Sequence, residues 1–156
     1  MMMVFRMVVL LVVSLALGCG GRMPESIAAS RGMLAPCPDK PNCVSSFSED
    51  TEHQIPAIRL AGTPAATWQG LQSMLATDGS AEIMTSSDDY LHVVYTSTIM
   101  RYRDDVEFIL FADDGEIAVR SASRVGHSDL GVNRDRVEAI RSRLVDQGLA
   151  HSLDSD

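Results

Sequence analysis

Between Ala81 and Ser123 the chain carries short apolar stretches, about Ala81 to Thr85, Tyr90 to Thr98, Val106 to Ala112 and Glu116 to Ser123, each rich in strand-forming side chains. Asp88-Asp89 and Asp113-Asp114-Gly115 break the run with turn chemistry. A parallel pair needs a crossover of about a dozen residues or more, which these breaks do not supply. The segment is therefore expected to fold back on itself as antiparallel strands.

Helical periodicity brackets this block. Thr63 is a fitting N-cap with Pro64 at the first helical position, Trp68, Leu71, Met74 and Leu75 share one face, and Asp78-Gly79 ends the run. The second helix reads with Asn133 as its cap, Val137, Ile140, Leu144 and Val145 on one face, and Gly148 past its end. A weaker strand, Gln54 to Leu60, contains Pro56 and so belongs at an edge. The expected fold class is α+β: a mainly antiparallel sheet of about five strands in the order β-α-β-β-β-β-α, with two amphipathic helices on one face. TBP-like folds share that order, a likeness of shape alone.

If Ala112 and Glu116 flank a three-residue turn, Phe111, Ile117, Ile109 and Val119 share one sheet face and Leu110, Ala118 and Phe108 the other. Both faces are then apolar, and helices cover one. Either the amino-terminal segment closes the second, or a shallow apolar site remains there.

The first residues set the expected location. Arg6, the apolar run Met7 to Leu17 and the small residues before Cys19 have the layout of a secretory signal over residues 1–18. The run is short of the roughly 20 apolar residues that a membrane-crossing helix needs. It resembles a bacterial lipoprotein signal, with Ala16 where leucine is commonest. That resemblance implies a mature chain beginning at an acylated Cys19, a membrane partner through the lipid, and, in a Gram-negative cell, from Gly20 rather than aspartate, outer-membrane sorting with the domain on the periplasmic face. Residues 19–35 then read as the lipidated cysteine and a flexible tether, residues 36–149 as one domain, and residues 150–156 as a polar tail.

With Cys19 assigned to lipid, Cys37 and Cys43 remain as a pair, and an oxidising compartment favours a disulfide over a reactive thiol pair. The formal charge is −8, which disfavours nucleic acid, since that affinity rests on Lys and Arg neutralising phosphates. Lys40 is the sole lysine. The arginines therefore reflect either composition or a use for forked anion contacts.

Two polar stretches stand out: Pro41-Asn42-Cys43-Val44-Ser45-Ser46, and the run from Arg120 through Arg124, Gly126-His127-Ser128-Asp129-Leu130-Gly131 and Asn133 to Arg134. Together, and in this order, they resemble the DUF1499 family over about Leu34 to Leu144. It is a bacterial and plastid group without an established activity, often envelope-associated. The resemblance implies no reaction and no cofactor.

From the residues themselves, the second stretch runs off a strand into a glycine-punctuated loop at a helix start, a setting that attracts anions. Arg101, Arg103, Arg120, Arg124 and Arg134, with His127 and Asp129, are candidate ligand-binding residues for a carboxylate or phosphate headgroup. The opposing reading pairs Arg124 with Asp104 or Asp105 and leaves the others solvated. His127 and Asp129 could also form a base and its orienting carboxylate, with Ser45, Ser46 or Cys43 as nucleophile, although Asp129 equally suits a turn-stabilising role. A metal held by Cys37, Cys43 and His127 is disfavoured by the wide cysteine spacing. His53 and His92 carry no evident role. The function expected is a non-catalytic module for a small anionic or lipid ligand, with an envelope-protein contact as the alternative and a hydrolase behind both.

Overall fold

The computed structural model describes residues 21–24, 27 and 32–153. The signal, Cys19 and the last residues of the tail lie outside the described residues. Six strands form one antiparallel sheet: β1 (Cys43–Ser45), β2 (Ile58–Arg59), β3 (Ala81–Ser86), β4 (Tyr90–Thr96), β5 (Arg103–Phe111) and β6 (Glu116–Ser123). Helices α1 (Pro64–Ala76) and α2 (Val132–Asp146) complete the α+β fold. The sheet order is β1-β6-β5-β4-β3, with β2 also on β6.

β1 and β2 share one edge. Cys43 to Ser45 pair with Ala122 to Arg120, and Ile58 and Arg59 pair with Ile117 and Glu116 farther along the same strand. A single edge strand is thus split by an excursion over residues 46–57. The opposite edge, β3, carries a bulge between Ile83 and Thr85, which breaks a ladder that another chain could extend.

Both helix starts and stops have identifiable causes. Thr63 accepts a hydrogen bond from Ala66 N–H, Pro64 opens α1, and Thr67, Trp68, Leu71, Met74 and Leu75 are buried. α2 begins differently from the expectation. Its cap is Gly131 at φ 86°, a left-handed conformation that suits glycine, and Asn133 lies inside the first turn. The Asp129 carboxylate takes the free N–H groups of Gly131 and Asn133 at 3.0 and 2.8 Å, so the Asn133 amide is not needed as a cap and turns into the core. At the far end, Gly148 N–H donates to Val145 and Leu149 N–H to Leu144, the paired bonds of a glycine-closed helix.

The β5–β6 turn corrects the face assignment. Phe111 pairs directly with Glu116, so the turn has four residues, 112–115, and the register moves by one position. Directly opposed residues share a face. Phe108, Leu110, Ile117 and Val119 therefore lie together against the helices, while Ile109, Phe111 and Ala118 lie on the other side. The larger core joins α1, α2, Ile55, Ile58 and the sheet's helix-facing side. On the second side Leu34, 5% exposed, packs with Ile109 and Ala118. Ala150 is buried and bridges to Leu60, so the start of the expected tail belongs to the packed domain.

Candidate functional site

The two polar stretches meet because β1 lies against β6. The Asn42 carbonyl accepts from Ser123 N–H at 3.0 Å and from Asn133 Nδ2 at 3.1 Å, while Asn42 Nδ2 donates to Gly126 O at 3.0 Å. Asn133 is the hub. Its Nδ2 also donates to Ser123 Oγ and Asp129 Oδ2, and its Oδ1 accepts from Ser121 Oγ and Arg136 Nη1. Arg136 continues the network to Asp104 at 2.6 Å and places its guanidinium 4.7 Å from the centre of the Tyr95 ring. Burial pushes the Tyr95 hydroxyl up to about 12, aided by nearby Asp78. Asn42 Oδ1 is buried and without a hydrogen-bond partner among the described residues.

Arg120 and Arg124 point into the protein. Arg120 sits directly opposite Glu107, with Nη1 to Oε2 at 3.3 Å, both nearly inaccessible. Arg124 lies diagonal to Asp105 and grips it with two bonds, Nε at 2.8 Å and Nη2 at 2.7 Å, while His92 Nε2 reaches the same carboxylate at 2.8 Å. Burial pushes the Asp105 carboxyl up, but the bonds from Arg124 and His92 prevail and hold it below the ordinary carboxylate range. The internal pairing considered for Arg124 is thus present, on Asp105. His92 and Glu107, not singled out from sequence, complete this buried row. Its signal was charge of opposite sign at alternate positions of neighbouring strands, Asp105 and Glu107 facing Arg120 and Arg124.

The other candidates sit at the loop end of the sheet. Arg101 and Arg103 are exposed, and neither forms an ion pair among the described residues. Arg134 donates Nη1 to Gln54 O and Nη2 to Glu52 O, both at 2.9 Å, so these partners are neutral carbonyls and it forms no ion pair among the described residues. It lines a cleft of about 230 Å³ with Pro41, Val44, Glu52, Ser128, Asp129 and Gly131. His127 is exposed in the preceding loop.

The hydrolase constellation does not assemble among the described residues. Cys43 is bonded to Cys37, with sulfurs 2.03 Å apart. Ser45 Oγ accepts from Phe47 N–H, and Ser46 Oγ exchanges hydrogen bonds with the Val119 backbone. The Asp129 carboxylate caps α2, and no hydrogen bond joins His127 to these groups. The disulfide likewise removes both thiols from any metal site, and no group of three or more His, Cys, Asp or Glu is arranged to hold an ion among the described residues.

His53 has the role that its loop position hid. It is buried, with Nδ1 2.6 Å from Asp50 Oδ2 and Nε2 3.0 Å from Lys40 O. Both partners only accept, so the doubly protonated ring satisfies both bonds. The Lys40 carbonyl is the main cause raising the His53 pKa, with Asp50 adding to it against the cost of burial. This contact ties the 46–57 excursion to the disulfide turn beside a second cleft of about 460 Å³ that includes Cys37, Ser45, Phe47 and Asp50.

No curated protein and no solved structure matches the chain. The family model described as "Protein of unknown function (DUF1499)" matches residues 33–144, a span that holds both polar stretches and all but the end of α2, and the chain belongs to the DUF1499 family.

Proposed function

We propose that the protein is a lipid-anchored module of a bacterial envelope that binds anionic headgroups, a binding rather than a catalytic role. One observation carries this reading. After Glu107 and Asp105 neutralise Arg120 and Arg124, Arg101, Arg103 and Arg134 are among the described arginines at the loop end of the sheet that form no ion pair. Arg134 faces a cleft of about 230 Å³, below the roughly 300–1,000 Å³ of pockets that enclose a drug-sized ligand, and suited to a phosphate- or carboxylate-sized group. Cys43, Ser45, Ser46 and Asp129 are engaged in structure and His127 stands apart from them, which favours binding over hydrolysis.

The test is titration of the Gly20–Asp156 domain with monomeric dihexanoylphosphatidylglycerol, read by calorimetry at two salt concentrations. Binding weakened by salt and reduced about tenfold by Arg134→Gln supports the reading, the scale expected for losing one charge-assisted contact. No binding, or binding indifferent to this substitution and to Arg101→Gln/Arg103→Gln, contradicts it. A native mass spectrum of the same domain reads out retained anions and the disulfide together.

A further inference from the structure

The loop end of the sheet is apolar as well as basic. β4 ends at Thr96, which pairs with Arg103, and Asp104 pairs with Ser123. Residues 97–102 and the 124–131 loop therefore project past the sheet at the same end. The Arg136 contacts with Asp104 and the Tyr95 ring fix the first turns of α2 at the same level. Ile99 is 88% exposed and Leu130 93%, and Met100, Tyr102 and Val132 are exposed beside them in sequence. Single exposed apolar residues need no explanation, but four on two loops and a fifth at the start of α2, all at one end, do. Leu130 is held outward despite φ 57°, a left-handed backbone that a leucine rarely adopts.

Charge and connectivity identify what this end faces. Arg101 and Arg103 flank the apolar tip, whereas the turns at the opposite end carry exposed Asp88, Asp89, Asp113 and Asp114. The chain also arrives here: a Cβ on Gly21 would lie 2.8 Å from Arg124 Cβ and 3.2 Å from Val125 Cγ1. Gly21 is two positions along the chain from Cys19, a reach of about 7 Å when extended.

We infer that the domain docks this end on an anionic bilayer, with Ile99 and Leu130 entering the headgroup region and Arg101 and Arg103 contacting lipid phosphates. The acidic turns then face away, and the asymmetry of charge between the two ends orients the domain, with the arginine-bearing end toward the lipid. Apolar side chains buried in the interface add to headgroup attraction. The inference rests on the anchored reading for its geometry, and its test separates the two.

Protein purified with its native processing is reconstituted in phosphatidylethanolamine–phosphatidylglycerol vesicles and compared with the detergent-solubilised form by hydrogen exchange, after its mass is read for acyl groups. Exchange slowed about tenfold over 97–103 and 126–132, unchanged at 87–90 and 112–115, and restored by Ile99→Ser/Leu130→Ser supports docking, since each tenfold step corresponds to a modest interfacial stabilisation. Among the described residues, the six strands and two helices lie within Cys43–Asp146, so the Gly20–Asp156 domain carries this described fold and is mixed with the same vesicles as a second arm. An acylated protein with unprotected loops overturns docking and leaves anchoring intact. An unacylated chain whose isolated domain is protected at these loops keeps docking and removes the anchor. Protection at the acidic turns, or loops covered by a co-purifying protein instead of lipid, overturns docking.

Discussion

Asn133 Nδ2 lies 3.1 Å from the carbonyl oxygen of Asn42, a bond spanning 91 positions that joins the two polar stretches of the chain. One buried amide thereby connects the strand edge, the β6 backbone, the α2 cap and, through Arg136, the start of β5. Removing it strands several polar groups at once. Asn133→Ala is expected to lower stability by about 2–4 kcal/mol, more than one ordinary hydrogen bond, because the desolvated partners lose their mates together. Urea unfolding followed by circular dichroism reads this, with an unchanged slope showing that the midpoint reports stability.

The Asp105 carboxylate makes a second prediction. Asp105→Asn leaves Arg124 buried beside a neutral amide, and breaking a buried pair from one side costs about 3–5 kcal/mol. Arg101→Gln, on the exposed tip, should change stability by no more than about 0.5 kcal/mol. Because the folded-state pKa of Asp105 lies below its ordinary 3.8, its contribution is present above that value and is lost as pH falls through the folded pKa. Acid unfolding of the wild type should therefore show a dependence that Asp105→Asn lacks.

His53 reverses the sign. Its pKa is raised above 6.5 in the fold, so its contribution is complete below 6.5 and disappears as pH rises through the folded value. The urea midpoint should fall with rising pH above about 6.5, and His53→Gln should flatten that segment. A midpoint with the same pH dependence in both proteins would show that the clamp on Lys40 O contributes nothing.

Reduction of Cys37–Cys43 tests the amino-terminal turn. The bridge spans a sequence separation of 6, and chain entropy for so short a loop gives about 2.4 kcal/mol. Pro36, Pro38 and Pro41 already stiffen the segment, so this is an upper value. Unfolding with and without reductant, at fixed pH, measures it.

The features legible in the sequence were those set by neighbours along the chain. Thr63 and Pro64 mark a helix start through local backbone chemistry, Gly148 marks a stop, and the spacing of Trp68, Leu71, Met74 and Leu75 identifies a buried face. What was missed depends on distant partners. Cys43–Ser45 has too few residues for alternation to show, and becomes a strand only because β6 offers it an edge. The one-residue register change at 112–115 changed which β5 residues share a face with which β6 residues, although the conclusion that both sides are apolar was independent of it. Asn133 looked like a cap because polar residues at helix starts usually serve that role. Asp129 had taken the role, and only the position of Asn42 shows what the amide does instead. At the candidate site, Arg120 and Arg124 were grouped with Arg101, Arg103 and Arg134 by sequence proximity, whereas strand alternation turns the first two toward Glu107 and Asp105.

The most direct measurement is the intact mass of the protein extracted from bacterial membranes. The account predicts a chain beginning at Cys19, heavier by its acyl groups and lighter by the two hydrogens of the Cys37–Cys43 bridge. An unacylated chain, or one released without detergent, would contradict the claim that the domain is presented at a membrane by its amino terminus.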